Sequence, residues 1–165
     1  MPTSTKNSFF DHTVKSADNT DYDLSQHKDK VVLVVNVASK CGFTPQYSDL
    51  ESVYQAFKNK NFVALAFPCN QFGAQESGTN EQIQQFCSTK YQVSFPVLAK
   101  IDVNGDKADP VYNFLKKEKP GVLGTEAIKW NFTKFLIGKQ GQVLKRYASA
   151  TAPKDIIKDI EAALT

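Results

Sequence analysis

The sequence predicts an α/β domain with a central mixed sheet flanked by helices and preceded by an N-terminal β-hairpin. Three observations carry this expectation. Val31–Val37 ("VVLVVNV") and Phe62–Phe67 ("FVALAF") are almost wholly apolar, which is the pattern of strands buried on both faces. Amphipathic segments at helical spacing follow each of them. Near the C-terminus, "FTKFLIGKQGQVLKRY" reads as a hairpin rather than as another strand–helix unit.

The elements follow in order. Residues 9 to 24 read as a hairpin, "FFDHTV" and "DYDL" about the turn signal "SADNT". After the strand Val31–Val37, Thr44 and Pro45 read as N-cap and N1 of a helix. Its apolar face is Tyr47, Leu50, Val53, Tyr54 and Phe57. Phe62–Phe67 is the second buried strand. Thr79 and Gln82 fit a capping box, opening a helix whose inner face is Ile83, Phe86 and Cys87. "FPVLAKIDVNG" is expected as a third strand with a turn after it. Asp109 and Pro110 start a short helix carrying Val111, Phe114 and Leu115. The late hairpin turns between Gly138 and Gly141, and Pro153–Leu164 closes the chain as a helix using Ile156, Ile157, Ile160 and Leu164. No repeat, low-complexity tract or linker intervenes, so residues 1–165 read as one domain. An alternating βαβ half followed by an antiparallel hairpin and a last helix is the order of a thioredoxin-like fold.

Composition narrows the function. The 165 residues are 41% apolar and 22% charged, an ordinary soluble balance. A net charge of +3 is too small to argue for a nucleic-acid partner. Arg146 is the sole arginine, which argues against a dedicated phosphate or carboxylate clamp. The lysines of "FLKKEK" and of Lys139–Lys145 read first as solvated faces, with transient contact to a membrane surface as the alternative. The N-terminus "MPTSTKNSFFDHTV" carries no apolar core of a secretory signal. The densest apolar run, residues 31 to 38, is far too short to span a bilayer. Three cysteines do not make a disulfide scaffold. A reducing, cytoplasmic setting is therefore expected, with a mitochondrial pool left open and any disulfide transient and catalytic.

Cys41 is the first candidate for chemistry. In an open α/β sheet, sites gather beyond the carboxyl ends of the strands, and Cys41 stands between such an end and a helix start. The helix dipole, and the Lys40 ammonium if it folds inward, favour its thiolate, the reactive species. The plain alternative is a packed structural cysteine. "CGFT" is not C-x-x-C, so a dithiol exchanger is excluded. A Cys–His pair would need His12 or His27 to fold back from the N-terminal segment, where histidines are ordinarily exposed. Cys41, Cys69 and Cys87 lack zinc-ligand spacing, and neither a metal nor a cofactor is expected.

Three blocks, "NVASKCGFT" (36 to 44), "LAFPCNQFGAQE" (65 to 76) and "KWNFTKFL" (129 to 136), resemble the signature blocks of the glutathione peroxidases, in order and approximate spacing. The resemblance runs from about Phe10 to Ala163. It implies a thioredoxin fold and reduction of hydroperoxides. It places Cys41 at the peroxidatic position and Gln75, Trp130 and Asn131 beside it as the remainder of a catalytic tetrad. The residue types suit that chemistry: a cysteine thiolate attacks a peroxide oxygen, and amide and indole N–H groups hold the sulfur anion and the departing oxygen. Taken singly, Gln75 reads as an exposed loop residue, Trp130 as a core aromatic and Asn131 as a turn residue.

Position 41 is cysteine, unlike the animal selenoenzymes of that family. The resemblance then implies that Cys87 is the resolving thiol, forming a disulfide that thioredoxin or a similar dithiol protein reduces. Helical spacing puts Cys87 on a packed face, whereas a disulfide needs Cα atoms within about 7 Å. The helix opening at Thr79 is therefore expected to unwind on oxidation. Cys69 reads as a packed cysteine rather than a second resolving thiol. The short stretch Leu115–Trp130 resembles monomeric members of the family. A peroxide sensor that passes oxidation to a partner protein, and a glutathione-driven peroxidase, remain as alternatives.

Overall fold

The computed structural model describes residues 7–165; the first six residues of the stretch read for a leader lie outside them. Ser8 and Asp11 cap each other's backbone around a 3-10 turn, Phe9–Asp11, which drives Phe9 and Phe10 into the interior. The hairpin that follows is shorter than expected: β1 (Thr13–Lys15) pairs antiparallel with β2 (Asp21–Asp23). A second 3-10 turn, Leu24–His27, leads to β3 (Val31–Val37).

Next come α1 (Gln46–Phe57), which buries Tyr47, Leu50, Val53 and Phe57, and β4 (Phe62–Pro68), parallel to β3 with Val34 opposite Leu65. Every residue of β3 and β4 is buried, so their alternation appears as a division between two cores rather than between core and solvent. Leu33, Val35 and Val37 join the α1 side; Val32 and Val34 join the opposite side with Leu65 and Phe67.

The helix α2 (Asn80–Lys90) opens on the expected capping box: Thr79 Oγ1 accepts Gln82 N–H, and Gln82 Oε1 accepts Thr79 N–H. Its fully buried side chains are Ile83 and Cys87. Asp109 caps α3 (Pro110–Glu118), with Pro110 in the first turn. The strands β5 (Lys134–Ile137) and β6 (Val143–Tyr147) complete a four-stranded sheet in the order β4-β3-β5-β6, with β5 antiparallel to both neighbours. A 3-10 turn, Pro153–Ile156, then runs into α4 (Ile157–Leu164).

Two expectations fail locally. "FPVLAKIDVNG" is extended but is not a strand: it makes single bridges, Ala66 to Val97 and Asp102 to Ala108. Pro96 has no N–H to donate, Ala99 N–H goes to the Lys15 carbonyl, and Lys100 N–H goes to Asn80 Oδ1. The ladder along β4 therefore cannot propagate. Thr44 is also not the cap of α1, which starts at Gln46 with no side-chain cap. Its hydroxyl is committed to the loop before the helix.

Candidate active site

The loop that carries Cys41 is folded around Thr44. Thr44 Oγ1 accepts Cys41 N–H (2.8 Å) and donates to the Ala38 carbonyl (2.8 Å), while Thr44 N–H donates to the Cys41 carbonyl. The turn so formed points Phe43 N–H at Cys41 Sγ, 3.3 Å away. An amide of the turn, rather than of the helix proper, thus faces the sulfur. Cys41 is 8% exposed, reachable by a small molecule yet largely desolvated. Lys40 is exposed. Its contribution is its backbone, whose N–H donates to the Gln75 carbonyl (3.1 Å).

Gln75 and Asn131 are brought together: Asn131 Nδ2 donates to Gln75 Oε1 at 3.1 Å. That bond occupies the carbonyl end of the Gln75 amide and leaves its NH2 end for other partners. Asn131 is fully buried, with Oδ1 unpartnered, and Trp130 is 36% exposed. Trp130 is therefore not a core aromatic, and Asn131 is not a solvated turn residue. This reversal between neighbours follows from Phe132, which sits at φ +63 and is fully buried against Tyr47. A left-handed phenylalanine is strained, and here it turns the chain so that Asn131 points in and Trp130 out. Asn36 holds the turn, donating through Nδ2 to the Trp130 carbonyl and accepting Phe132 N–H at 2.6 Å. Opposite, Gly73 (φ +67) and Ala74 (φ +52) curl the preceding loop. A Cβ on Gly73 would lie 3.3 Å from the Trp130 ring and 3.6 Å from the Gln75 side chain. Phe72 packs against Trp130 with ring centroids 5.8 Å apart. Among the described residues no hydrogen bond joins the Cys41 sulfur to Gln75, Trp130 or Asn131; the two groups are joined through Lys40 N–H and the Gln75 carbonyl.

Cys87 is 2% exposed, on the same side of the sheet as Cys41. Burial pushes its thiol up to about 11. The buried Tyr47 hydroxyl lies toward it without a well-formed hydrogen bond to any group. Cys69, fully buried, belongs to the core on the opposite side, and burial also raises its thiol. All three cysteines are free thiols, and α2 is intact around Cys87.

The glutathione peroxidase family model matches residues 9–116. The chain belongs to the glutathione peroxidase family. It is 57% identical over 156 residues to the glutathione peroxidase-like peroxiredoxin gpx1 of Schizosaccharomyces pombe, covering 94% of this chain and 98% of that protein. It is 52% identical over 165 residues to a probable phospholipid hydroperoxide glutathione peroxidase of Citrus sinensis, covering 99% and 98%. The crystal structure of Trgpx in its apo form superposes with a TM-score of 0.82 at 53% identity, covering 97% of both chains. A thioredoxin-family thiol:disulfide interchange protein of Chlorobium tepidum shares the fold alone, at TM-score 0.68 and 15% identity over 93% of each chain.

In this member of the glutathione peroxidase family both histidines are buried, not exposed. His12 bonds through Nδ1 to main-chain carbonyls of Ser8 and Phe9, and His27 meets the Tyr22 hydroxyl at 2.8 Å. These hydrogen bonds keep both within their own N-terminal segment, and the His12 ring also packs on Phe114 of α3, centroids 5.0 Å apart. Sequence reasoning missed Glu76. It is 1% exposed, accepts Ser39 N–H at Oε1 (3.1 Å), and is locked by Asn70 Oδ1 at its N–H and by Lys100 Nζ at its carbonyl. Burial raises its carboxyl above the ordinary range. In "GAQESG" it looks like a loop residue, and only its long-range partners reveal it as buried.

Proposed function

We propose that this chain is a thiol peroxidase that reduces hydrogen peroxide and organic hydroperoxides, phospholipid hydroperoxides included, through Cys41. The supporting observation is a chain of contacts: a buried cysteine faced by a backbone N–H, its neighbour Lys40 tied by N–H to the Gln75 carbonyl, Gln75 bonded to Asn131, and a partly exposed Trp130 beside Gly73. Cys41 thiolate attacks the terminal peroxide oxygen, the O–O bond breaks, and Cys41 sulfenic acid forms as the leaving alkoxide takes up a proton. Phe43 N–H steadies the sulfur. Asn131 orients Gln75 so that its NH2 end, with the Trp130 indole N–H, can donate to the developing oxygen anion. Beside the Cys41 loop rather than at the sulfur itself, a largely apolar cavity of about 490 Å³, lined in part by Phe43, Pro120, Gly121 and Lys129, suits the bulky tail of a hydroperoxide or transient contact with a membrane surface.

Cys87 then resolves the sulfenic acid as an intramolecular disulfide. This requires α2 to open locally, which its thin buried face favours: an 11-residue helix that fully buries Ile83 and Cys87 is an inexpensive unit to unfold. Thioredoxin or a similar dithiol protein reduces the disulfide. Arg146 is unsuited to grip a glutathione carboxylate, because its guanidinium already donates to the Lys119, Glu126 and Ala127 carbonyls and stacks on Phe135. The enzyme works as a monomer, one domain over residues 1–165, in the reducing cytoplasm. No helix among the described residues is long and apolar enough to cross a membrane.

The deciding experiment is Cys87→Ser. This variant is expected to consume about one equivalent of peroxide, by the single-thiol stoichiometry, and then stop with thioredoxin present. Full steady-state turnover would remove Cys87 from the mechanism.

A further inference from the structure

A cavity of about 300 Å³ separates the Cys41 loop from α2, lined among others by Ser39, Lys40, Gln75, Glu76, Ile83 and Phe86. Ile83 and Phe86 are the helix residues that flank Cys87, one turn before it and immediately before it. The path by which Cys87 approaches Cys41 therefore borders this space. Within its wall stands one carboxylate with a single committed oxygen. Glu76 Oε1 accepts Ser39 N–H, while Oε2 is buried and has no partner. An orphaned buried oxygen is costly, and this one borders the route of a thiol that must lose its proton before it can react.

We propose that Glu76 is the proton acceptor for Cys87 in the resolving step. The inference rests on Cys87 being the resolving thiol. The Cys87 S–H proton passes to Glu76 Oε2. The Cys87 sulfur attacks the Cys41 sulfur, the Cys41 S–O bond breaks, and the departing hydroxide takes the proton from Glu76 to leave as water. Cys87 is oxidised, the Cys41 sulfenic sulfur is reduced, and Glu76 ends as the carboxylate it began as. Two features of the surroundings suit the role. Cys87 is protonated at neutral pH in both states of the helix: burial pushes its thiol up to about 11 while α2 is intact, and an exposed thiol, at about 8.5, still holds most of its proton at pH 7 once α2 opens, so it needs a base. Burial also makes Glu76 a stronger base than an exposed carboxylate. The charged and titratable groups around Glu76 are Lys100 at its carbonyl, Lys40 on the cavity wall, Tyr47 from α1, Cys87 from α2 and Cys69 beyond the end of β4. Lys100 opposes the rise that burial imposes on the Glu76 carboxyl, and the three weak acids remain protonated across the neutral range.

The test is Glu76→Gln, which keeps an oxygen for Ser39 N–H and loses the base. One equivalent of hydrogen peroxide is added to the reduced enzyme. Sulfenic acid is counted with a carbon-acid trap and the disulfide by gel shift, from pH 6 to 9. The variant is expected to form sulfenic acid at nearly the wild-type rate and to close the disulfide on the order of 100-fold more slowly at pH 7. Its closing rate should then climb about tenfold per pH unit up to about pH 8, as Cys87 itself ionises in the opened helix. Glu76→Asp, which keeps a carboxylate, should retain the flatter wild-type profile. The proposal is overturned by wild-type closing in Glu76→Gln, by equal slowing of both steps, or by a Glu76→Asp profile as steep as that of the glutamine variant. Cys87→Ser run alongside separates the two readings. If it still closes a disulfide, the resolving assignment fails. If it does not, and Glu76→Gln behaves as wild type, the inference about Glu76 fails alone.

Discussion

Replacing Thr44 with valine exchanges one hydroxyl for a methyl group of nearly the same shape. The side chain is 4% exposed, so water cannot substitute for what is lost. Two hydrogen bonds go together, Cys41 N–H to Oγ1 and Oγ1 to the Ala38 carbonyl, each 2.8 Å. Both backbone groups are left buried and unpaired, at about 1–3 kcal/mol each, so the expected loss is about 2–6 kcal/mol. Set against a typical domain stability of about 5–15 kcal/mol, that is a large fraction. Urea unfolding of the reduced protein should show a lower midpoint with unchanged slope. The first-turnover rate with peroxide should also fall, because the same hydroxyl forms the turn that aims Phe43 N–H at the sulfur. Thr44→Ser keeps the hydroxyl and should stay within about 1 kcal/mol of wild type. A valine variant within about 0.5 kcal/mol of wild type would refute the reasoning, since that is the range of an indifferent surface change.

Gly73→Ala places a Cβ at φ +67, 3.3 Å from the Trp130 ring. A cost of about 1–2 kcal/mol is expected from the backbone alone. Trp130 is the only tryptophan, so its fluorescence reports any displacement directly, and the first-turnover rate should fall with it. Lys134 is fully buried, donates to the Ser149 and Thr151 carbonyls, and is pushed down to about 7 by burial. The unfolded chain holds that proton up to about pH 10.4. Between these values the unfolded state binds more protons, so stability should rise with pH and fall back as pH drops toward 7. The slope is at most about 1.4 kcal/mol per pH unit. Urea titrations from pH 7 to 8 read it below about pH 8.5, where the unfolded Cys87 thiol ionises while the folded one does not and acts in the opposite sense. Lys134→Met should abolish the slope.

The elements legible in the sequence were those set by local rules. The apolar runs at Val31 and Phe62, the Thr79–Gln82 capping box and the Asp109–Pro110 start all speak through near neighbours. Thr44 misled because threonine before proline is a good cap, yet Ala38 and Cys41 competed for the hydroxyl and won. The segment after Phe95 misled because its alternation is strand-like while its N–H groups are claimed from elsewhere. At the candidate site, motif blocks singled out Gln75, Trp130 and Asn131 together. What they could not supply was the left-handed turn at Phe132, the anchoring by Asn36, and the burial of Glu76. Each of these depends on contacts across many residues of chain, where periodicity is silent.

The sheet with a core on either face has a further consequence, for the fate of an oxidant that enters the protein. Cys41 and Cys87 share one side of this wall and Cys69 lies on the other. A captured oxidising equivalent can travel from Cys41 to Cys87 by the loosening of one short helix, while reaching Cys69 would mean dismantling the wall itself. A slow alkylating reagent should therefore meet the thiols in a fixed sequence: Cys41 by direct access, Cys87 by local opening, Cys69 by global unfolding. Three side chains of identical covalent chemistry become an entry port, a relay and a bystander, distinguished by where the fold has filed them.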